Sequence, residues 1–237
     1  MMARKKIVFI IVEGPSDETA LGAILSNLFD SLSIYVHIMF CDITTEKLSG
    51  NKTIVGSIGD IVKGYANSKH FKKSDFHEII HIADTDGAFI PNDSIIEDKQ
   101  AEEVFYSEDE IRTKSKKCIE QRNEIKSHNM QVLFSRKKIW DVPYRLFYMS
   151  CNLDHVLYNK QNSTDAEKEN DAHRFAMQYK SSPNDFIKYI SESDFSVTSE
   201  YKESCDFIQK DLNSLKRHTN LGLRFHQSAS DNIPNND

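Results

Sequence analysis

The chain has 237 residues, of which 39% are hydrophobic and 28% are charged, and its formal net charge at pH 7 is −6. The hydrophobic share is large enough for a buried core, which excludes a disordered chain. The negative charge argues against a protein that coats nucleic acid by bulk charge, because phosphate affinity comes from lysine and arginine.

Three features of the sequence predict a cytoplasmic protein without a membrane segment. No part of the chain approaches the run of about 20 apolar residues that a membrane-spanning helix needs. The apolar run at residues 7–12 is too short for a signal-peptide core and leads directly into Glu13. The cysteines are far apart, which favours reduced thiols over a disulfide framework or a thiolate zinc site.

The first half of the chain alternates between strand-like and helix-like segments. Residues 7–12 form a continuous apolar run, typical of a strand buried on both faces. The following segments are a helix from Ser16 or Asp17, a strand at Ile34–Phe40, a helix at 53–68, a strand at 76–83, an irregular stretch to 107, a charged helix at 108–126, and apolar runs at 131–134 and 144–149. This order predicts an α/β fold with a mostly parallel sheet flanked by helices.

After Ser150 the strand signals stop, and the sequence predicts a helical C-terminal extension. Its expected helices are Leu153–Tyr158, 165–180, 183–190 and 200–216. We therefore divide the chain into a catalytic domain at 1–150, a helical region at 151–226 packed on it, and a disordered tail at 227–237. The helical region could also form a homodimer interface or bind a protein partner.

Acidic residues follow two of the predicted strands at the point where each strand ends. Glu13 comes directly after the first strand, and Asp84 and Asp86 come directly after the third. Ligands of an open parallel sheet bind at the carboxyl ends of its strands, so we expect the three carboxylates to converge. Converging carboxylates repel one another unless cations join them, and Mg²⁺ (or Mn²⁺) suits such oxygen ligands. Gly14 and Gly87 would let a phosphate backbone approach closely.

Each acid taken alone also fits a purely structural role. An acid after a strand is frequently a helix cap, and we favour that role for Asp17 and Glu18. The segment 84–87 by itself fits a plain Asx-type turn as well as a metal site. The combination of Glu13 with Asp84 and Asp86 at one rim favours the metal site.

The acids and their neighbours also carry a family resemblance. The residues concerned are Val12, Glu13, Gly14, Asp17, Asp84, Thr85, Asp86 and Gly87. This pattern resembles the Toprim domain of type IA topoisomerases, bacterial primases, small RNA-maturation nucleases and OLD-family nucleases, over roughly residues 5–150. The resemblance implies a Toprim-like sheet and assigns Glu13, Asp84 and Asp86 as catalytic metal ligands, with Glu13 also able to act as a general acid or base.

Within that family the chain looks most like OLD-type and standalone Toprim nucleases, many of which act in defence against phage. The resemblance implies a metal-dependent nuclease that cleaves DNA or RNA. The sequence has no GxxxxGK[ST] motif, so a separate ATPase or sensor protein would have to supply any ATP-driven gating. Some OLD-type enzymes place a further carboxylate after the next strand, where this chain has Asp154. Asp154 could be that metal ligand or, with Asn152, a helix cap, and the sequence supports both equally. We expect His155 to be structural.

Basic residues provide candidates for contacts with nucleic acid. Arg136, Lys137 and Lys138 form the best cluster, and the nearby Trp140 could stack on a base if exposed or could belong to the core. The charged helix also carries basic residues, but acids interleave with them, which favours a solvated face. Those residues are Arg112, Lys114, Lys116, Lys117, Arg122 and Lys126.

Two alternative functions remain open at this point. In a HAD-like phosphatase, Asp84 would be the nucleophile and Asp86 the acid, although Glu13 would then have no role. In a catalytically silent Toprim-like module, the acids would serve structure alone and the domain would bind a partner.

Overall fold

A computed structural model describes residues 6–30, 34–48 and 50–226 of the chain. The strands in these residues are β1 (Lys6–Val12), β2 (Ile34–Phe40), β3 (Phe76–Asp84), β4 (Ile95–Glu97), β5 (Phe105–Tyr106), β6 (Ile111–Thr113), β7 (Lys138–Ile139) and β8 (Val142–Met149). The helices are α1 (Pro15–Asp30), α2 (Ile54–Ser68), α3 (Lys116–Phe134), α4 (Leu153–Tyr158), α5 (Asp165–Tyr179), α6 (Pro183–Glu192), α7 (Tyr201–Ile208) and α8 (Leu223–His226). The predicted tail at 227–237 lies outside the described residues.

The main sheet has five strands in the order β2-β1-β3-β8-β7. The first four of these strands are parallel, and the short β7 pairs antiparallel with β8 at one edge. The predicted α/β class with a mostly parallel sheet is therefore confirmed. The register places Val12 beside Phe40 and Asp84 beside Met149. The carboxyl ends of β1, β2, β3 and β8 consequently form one rim.

Helices cover both faces of the main sheet. On one face, α1 and helices of the C-terminal region share a core with β1, in which Val8 and Ile10 cluster with Phe175 of α5 and Phe186 of α6. Successive side chains of β1 point to opposite faces of the sheet. On the other face, α2 and α3 pack over the remaining β1 side chains, such as Phe9. Residues of α5 and α6 thus contribute to the core on the first face of the sheet.

Residues 84–113 differ from the prediction. The stretch expected to be irregular contains a small second sheet with the strand order β4-β6-β5. Its central strand β6 lies inside the segment that we expected to begin the charged helix. Ile111 is fully buried there and pairs with Ile95 and Tyr106, so strand pairing outweighs the helical charge pattern.

The predicted bounds of two helices were also wrong. The charged helix begins at Lys116 instead of 108 and continues to Phe134, because Met130 and Leu133 continue its buried face. The run at 131–134 is therefore helical. The last predicted helix, 200–216, ends at Ile208, and turns follow in which Asp211 adopts a left-handed backbone conformation (φ 49°) that a helix cannot continue through.

No helix in residues 6–30, 34–48 and 50–226 is long and apolar enough to cross a membrane. The four cysteines are free thiols in the structure, which agrees with the predicted absence of a disulfide framework.

Candidate active site

The structure brings the three predicted acids together. Glu13 follows β1 and Asp84 ends β3, and these strands are adjacent and parallel. Asp86 lies two residues further along the same loop. The side chain of Lys126 connects two of these acids, Glu13 and Asp86. Its Nζ atom lies 3.1 Å from Oε1 and 3.3 Å from Oε2 of Glu13 and also contacts Oδ2 of Asp86. The site is therefore an acidic rim with one lysine at its centre.

The place of Lys126 was not predicted from the sequence. We expected it on a solvated helix face, but its side chain is completely buried. With the helix bounds of the structure, Lys126 lies on the same face of α3 as other buried residues. They are Ile119, Asn123, Asn129, Met130 and Leu133. The prediction ended the helix at 126 and so left out Asn129, Met130 and Leu133, which continue the buried face that includes Lys126.

The carboxylates of the rim have strongly perturbed acidities. Burial raises the pKa of Glu13 to about 8, and the negative charges of Asp86 and Asp42 add to this effect while Lys126 opposes it. Burial also raises the pKa of Asp84 well above its ordinary value, and its acidic neighbours reinforce this. Asp86 differs: burial would raise its pKa, but Lys126 and Arg122 outweigh burial and lower it. One lysine therefore cannot keep all three carboxylates ionised, and Glu13 and Asp84 retain protons that a bound cation would displace.

Hydrogen bonds hold the loop that carries Asp84 and Asp86. The Thr85 hydroxyl donates to the Ser214 carbonyl (2.7 Å) and accepts from the Cys151 amide (2.8 Å). The Asp86 amide donates to the Cys151 carbonyl (2.7 Å), and Asp86 has a left-handed conformation with φ 48°. From α3, Arg122 Nη2 donates to the Asp86 carbonyl (2.7 Å). These bonds fix the position of both carboxylates before any ligand binds.

Glu13 has a second polar neighbour besides Lys126. The hydroxyl of Thr44, which is fully buried in the loop after β2, donates to Glu13 Oε1 at 3.0 Å. Asn129 of α3 in turn donates to the Thr44 carbonyl (2.9 Å). The orientation of the Glu13 carboxylate is thus set by β1, by the β2 loop and by α3 together.

Asp17 caps α1 and also belongs to the acidic group. Its Oδ2 accepts a hydrogen bond from the Gly14 amide at 3.0 Å, which agrees with the predicted capping role. Its side chain is buried, and burial followed by the negative charge of Asp154 raises its pKa to about 6. Asp17 also contributes to the raised pKa of Asp84. Asp17 therefore both caps α1 and belongs to the acidic rim.

Asp154 is buried in the first turn of α4, on the Asp17 side of the rim. The capping is done by Asn152, whose side chain accepts from the His155 amide at 2.8 Å. Asp154 Oδ2 is buried and has no hydrogen-bond partner within the described residues. Burial raises its pKa, and Lys168 opposes that effect. His155 is buried with its pKa lowered to about 4, as expected for a neutral structural histidine.

The donors of the rim fit a hard divalent cation by their chemistry and charge. They are the carboxylates of Glu13, Asp17, Asp84, Asp86 and Asp154. Within the described part of the chain, no three His, Cys, Asp or Glu side chains are arranged to hold one ion between them. Mg²⁺ does not need such a cage, because it commonly uses one or two carboxylates together with waters and substrate phosphates. The unpartnered oxygen of Asp154 could serve as such a ligand, and so could Asp84 once a bound cation displaces its proton.

The predicted nucleic-acid cluster lies at the other end of the sheet. Arg136, Lys137 and Lys138 are exposed, and Lys138 pairs with Pro143 at the start of β8, whereas Asp84 pairs with Met149 at its end. These positions are about 20 Å apart at about 3.3 Å per residue. Trp140 is half-buried against the core with its ring centroid 5.8 Å from that of Phe76, so it is not an exposed stacking platform.

Comparisons of the chain with protein-family models, with curated proteins and with solved structures find no match. The geometry and charge of the rim are therefore what points to a function.

Proposed function

We propose that the protein is a metal-dependent nuclease of the Toprim type that cleaves phosphodiester bonds in DNA or RNA. The observation that supports this most strongly is the convergence of Glu13, Asp84 and Asp86 at one rim of adjacent parallel strands. The rim has more carboxylates than Lys126 can keep ionised, and a divalent cation would take the place of the protons on Glu13 and Asp84.

The side chains of the rim can take different roles in hydrolysis. Asp84 would hold Mg²⁺ or Mn²⁺ together with waters and substrate phosphate oxygens, and the ion would polarise a phosphodiester and lower the pKa of a bound water. Glu13, with a pKa of about 8, can accept or donate a proton near neutral pH. Lys126 donates hydrogen bonds to Glu13 and Asp86 and stabilises negative charge that develops between them.

The wider biological setting is part of the same proposal. The resemblance to OLD-type and standalone Toprim nucleases supports a role in phage defence in the cytoplasm, with a separate ATPase or sensor protein as activating partner. A homodimer through the C-terminal helices is also compatible with it.

The geometry favours the nuclease over a HAD-like phosphatase. A phosphatase would use Asp84 as the nucleophile and Asp86 as the acid, at and just after the end of β3. Glu13 would have no role in a phosphatase, although it shares the ammonium group of Lys126 with Asp86. The nuclease gives Glu13 a function as a proton acceptor or donor.

Cleavage assays test the proposal. Plasmid, linear duplex, single-stranded DNA and tRNA are incubated with the protein in Mg²⁺, Mn²⁺ or EDTA. We expect metal-dependent cutting of at least one substrate, reduced by at least about 100-fold in Asp84→Asn, since groups that stabilise developing charge are commonly worth that much. The matched control Asp109→Asn removes an exposed acid outside the rim and retains activity. Equal cutting by wild type and Asp84→Asn would contradict the assignment, as would a phosphatase activity with a covalent phosphate on Asp84.

A further inference from the structure

A large cavity lies away from the carboxylate rim. It has a volume of about 1060 Å³ and is enclosed by the first residues of β8, the last turn of α3 and helix α7. Its lining includes Arg145, Phe134 and Tyr201, and none of the five acids of the rim. Arg145 is four residues before Met149 along β8, which separates it from the rim by about 13 Å. The cavity is thus a second site.

The cavity is positively charged within a chain of net charge −6. Its basic side chains are Arg136, Lys137, Arg145, Lys202 and Arg224, and its acidic ones are Glu78 and Asp206. Arg224 pairs with Glu78, with Nε 3.1 Å from Oε2, and this pair neutralises itself. Four basic groups then face a single acid, so the cavity favours an anionic ligand.

Arg145 is the best-placed of these groups. Its guanidinium carbon lies 4.9 Å from the ring centroid of Tyr201, which holds the side chain in place by a cation–π contact. Arg145 forms no ion pair with any residue that the structure describes. A planar guanidinium with free donors matches the oxygens of a phosphate, which it can bind in a bidentate manner.

Aromatic side chains supply the rest of the recognition surface. Phe134 and Tyr201 are half-buried in the cavity wall, next to the basic groups. Apolar walls with a few converging polar groups are typical of small-molecule sites, and aromatic rings and arginine planes stack on nucleobases. A ligand with a flat base and a phosphate would use both parts of the lining.

We propose that this cavity binds a free nucleotide, with its phosphate at Arg145 and at the neighbouring Arg136 and Lys137. The site is separate from the proposed nuclease centre and does not depend on it. Two of the three basic residues first predicted to contact nucleic acid, Arg136 and Lys137, line the cavity, so their ligand here is a mononucleotide.

Isothermal titration calorimetry of the full chain in EDTA tests this, because metal-dependent hydrolysis is then suppressed. We expect ATP or AMP to bind once per chain, with adenosine and inorganic phosphate at least about tenfold weaker, since each offers half of the contacts. Arg145→Gln should weaken nucleotide binding at least about tenfold, through loss of a charge-assisted hydrogen bond. Arg136→Gln, a change at an exposed position, should also weaken nucleotide binding. It tests the proposal independently if Arg145→Gln does not fold.

Two control variants make the result specific. Arg112→Gln removes an exposed arginine on β6, outside the cavity, and leaves binding unchanged. Asp84→Asn disables the proposed nuclease centre and also leaves binding unchanged, which separates the two proposals. Absence of nucleotide binding up to about 1 mM, unchanged affinity in both cavity variants, or binding of a DNA oligonucleotide without any mononucleotide would overturn the proposal.

Discussion

Replacing Lys126 with methionine should lower the free energy of unfolding in EDTA by about 3–5 kcal/mol, the usual cost of breaking a buried ion pair from one side. The Lys126 side chain is fully buried, and the side chains of its partners Glu13 and Asp86 are also largely buried, at 12% and 23% exposed. Without Lys126, Glu13 and Asp86 lose the cation that contacts both of them, and Arg122 remains as a counter-charge near Asp86 alone. Urea unfolding of both proteins at pH 7 measures the difference.

The loss should depend on pH and on divalent ions in the direction that the charges require. Burial raises the pKa of Glu13 to about 8, so Glu13 is mostly protonated at pH 7, and the cost of losing Lys126 should increase as the pH rises through about 8 and Glu13 ionises. Mn²⁺ should stabilise the variant more than the wild type, since it supplies the missing positive charge. The matched control Lys99→Met removes an exposed lysine and changes stability little. A Lys126→Met protein within about 1 kcal/mol of wild type would show that the buried ion pairs do not hold the rim together.

Replacing Gly87 with alanine should destabilise the protein by about 2–5 kcal/mol and displace the loop of Asp84 and Asp86. Gly87 has φ 66°, a left-handed conformation that costs an alanine about 1–2 kcal/mol. A Cβ atom at this position would also lie 2.7 Å from Leu215 Cδ2 and 2.9 Å from Ile111 Cδ1. Overpacking of this kind in a well-packed core adds a cost of about 1–3 kcal/mol. Thermal and urea unfolding measure the effect.

Gly64→Ala is the control for this substitution. Gly64 lies in α2, and a Cβ atom there would meet nothing within 4 Å. Alanine is favoured over glycine inside a helix by about 1 kcal/mol, so this variant should be as stable as wild type or more stable. Equal stabilities of the Gly87→Ala and Gly64→Ala proteins would mean that the loop tolerates a side chain and is not fixed as described.

The strands that form the rim were predictable because their local patterns agree with their tertiary environment. The apolar sequence of β1 predicts a strand buried on both faces. The structure confirms this, since β1 lies between β2 and β3 with both faces covered. The predicted bounds of β2 match the structure. The acids could then be placed from the strand ends alone, because parallel neighbours end at the same edge.

The parts that could not be predicted depend on contacts between distant segments. β4, β5 and β6 have two or three residues each, too few to show a periodicity, and they form only because they pair with one another. The inward position of Lys126 depends on its ion pairs with Glu13 and Asp86, which are 113 and 40 residues away in the sequence. Gly87 was expected to make room for a phosphate backbone, but its lack of a side chain accommodates Leu215 and Ile111. The cavity near Arg145 joins α3, β8 and α7, which no local pattern connects.

The central claim is that the acidic rim holds a divalent metal ion, and direct binding of Mn²⁺ to the purified chain tests it best. Electron paramagnetic resonance counts free Mn²⁺ in titrations of wild type, Asp84→Asn and the control Asp109→Asn. We predict binding to wild type and to the control that is at least about tenfold weaker in Asp84→Asn. Metal binding must displace protons from Glu13 and Asp84, whose pKa values are raised, so affinity should increase from pH 6 to pH 8. Equal binding by wild type and Asp84→Asn, or none up to about 1 mM Mn²⁺ at pH 8, would contradict the claim.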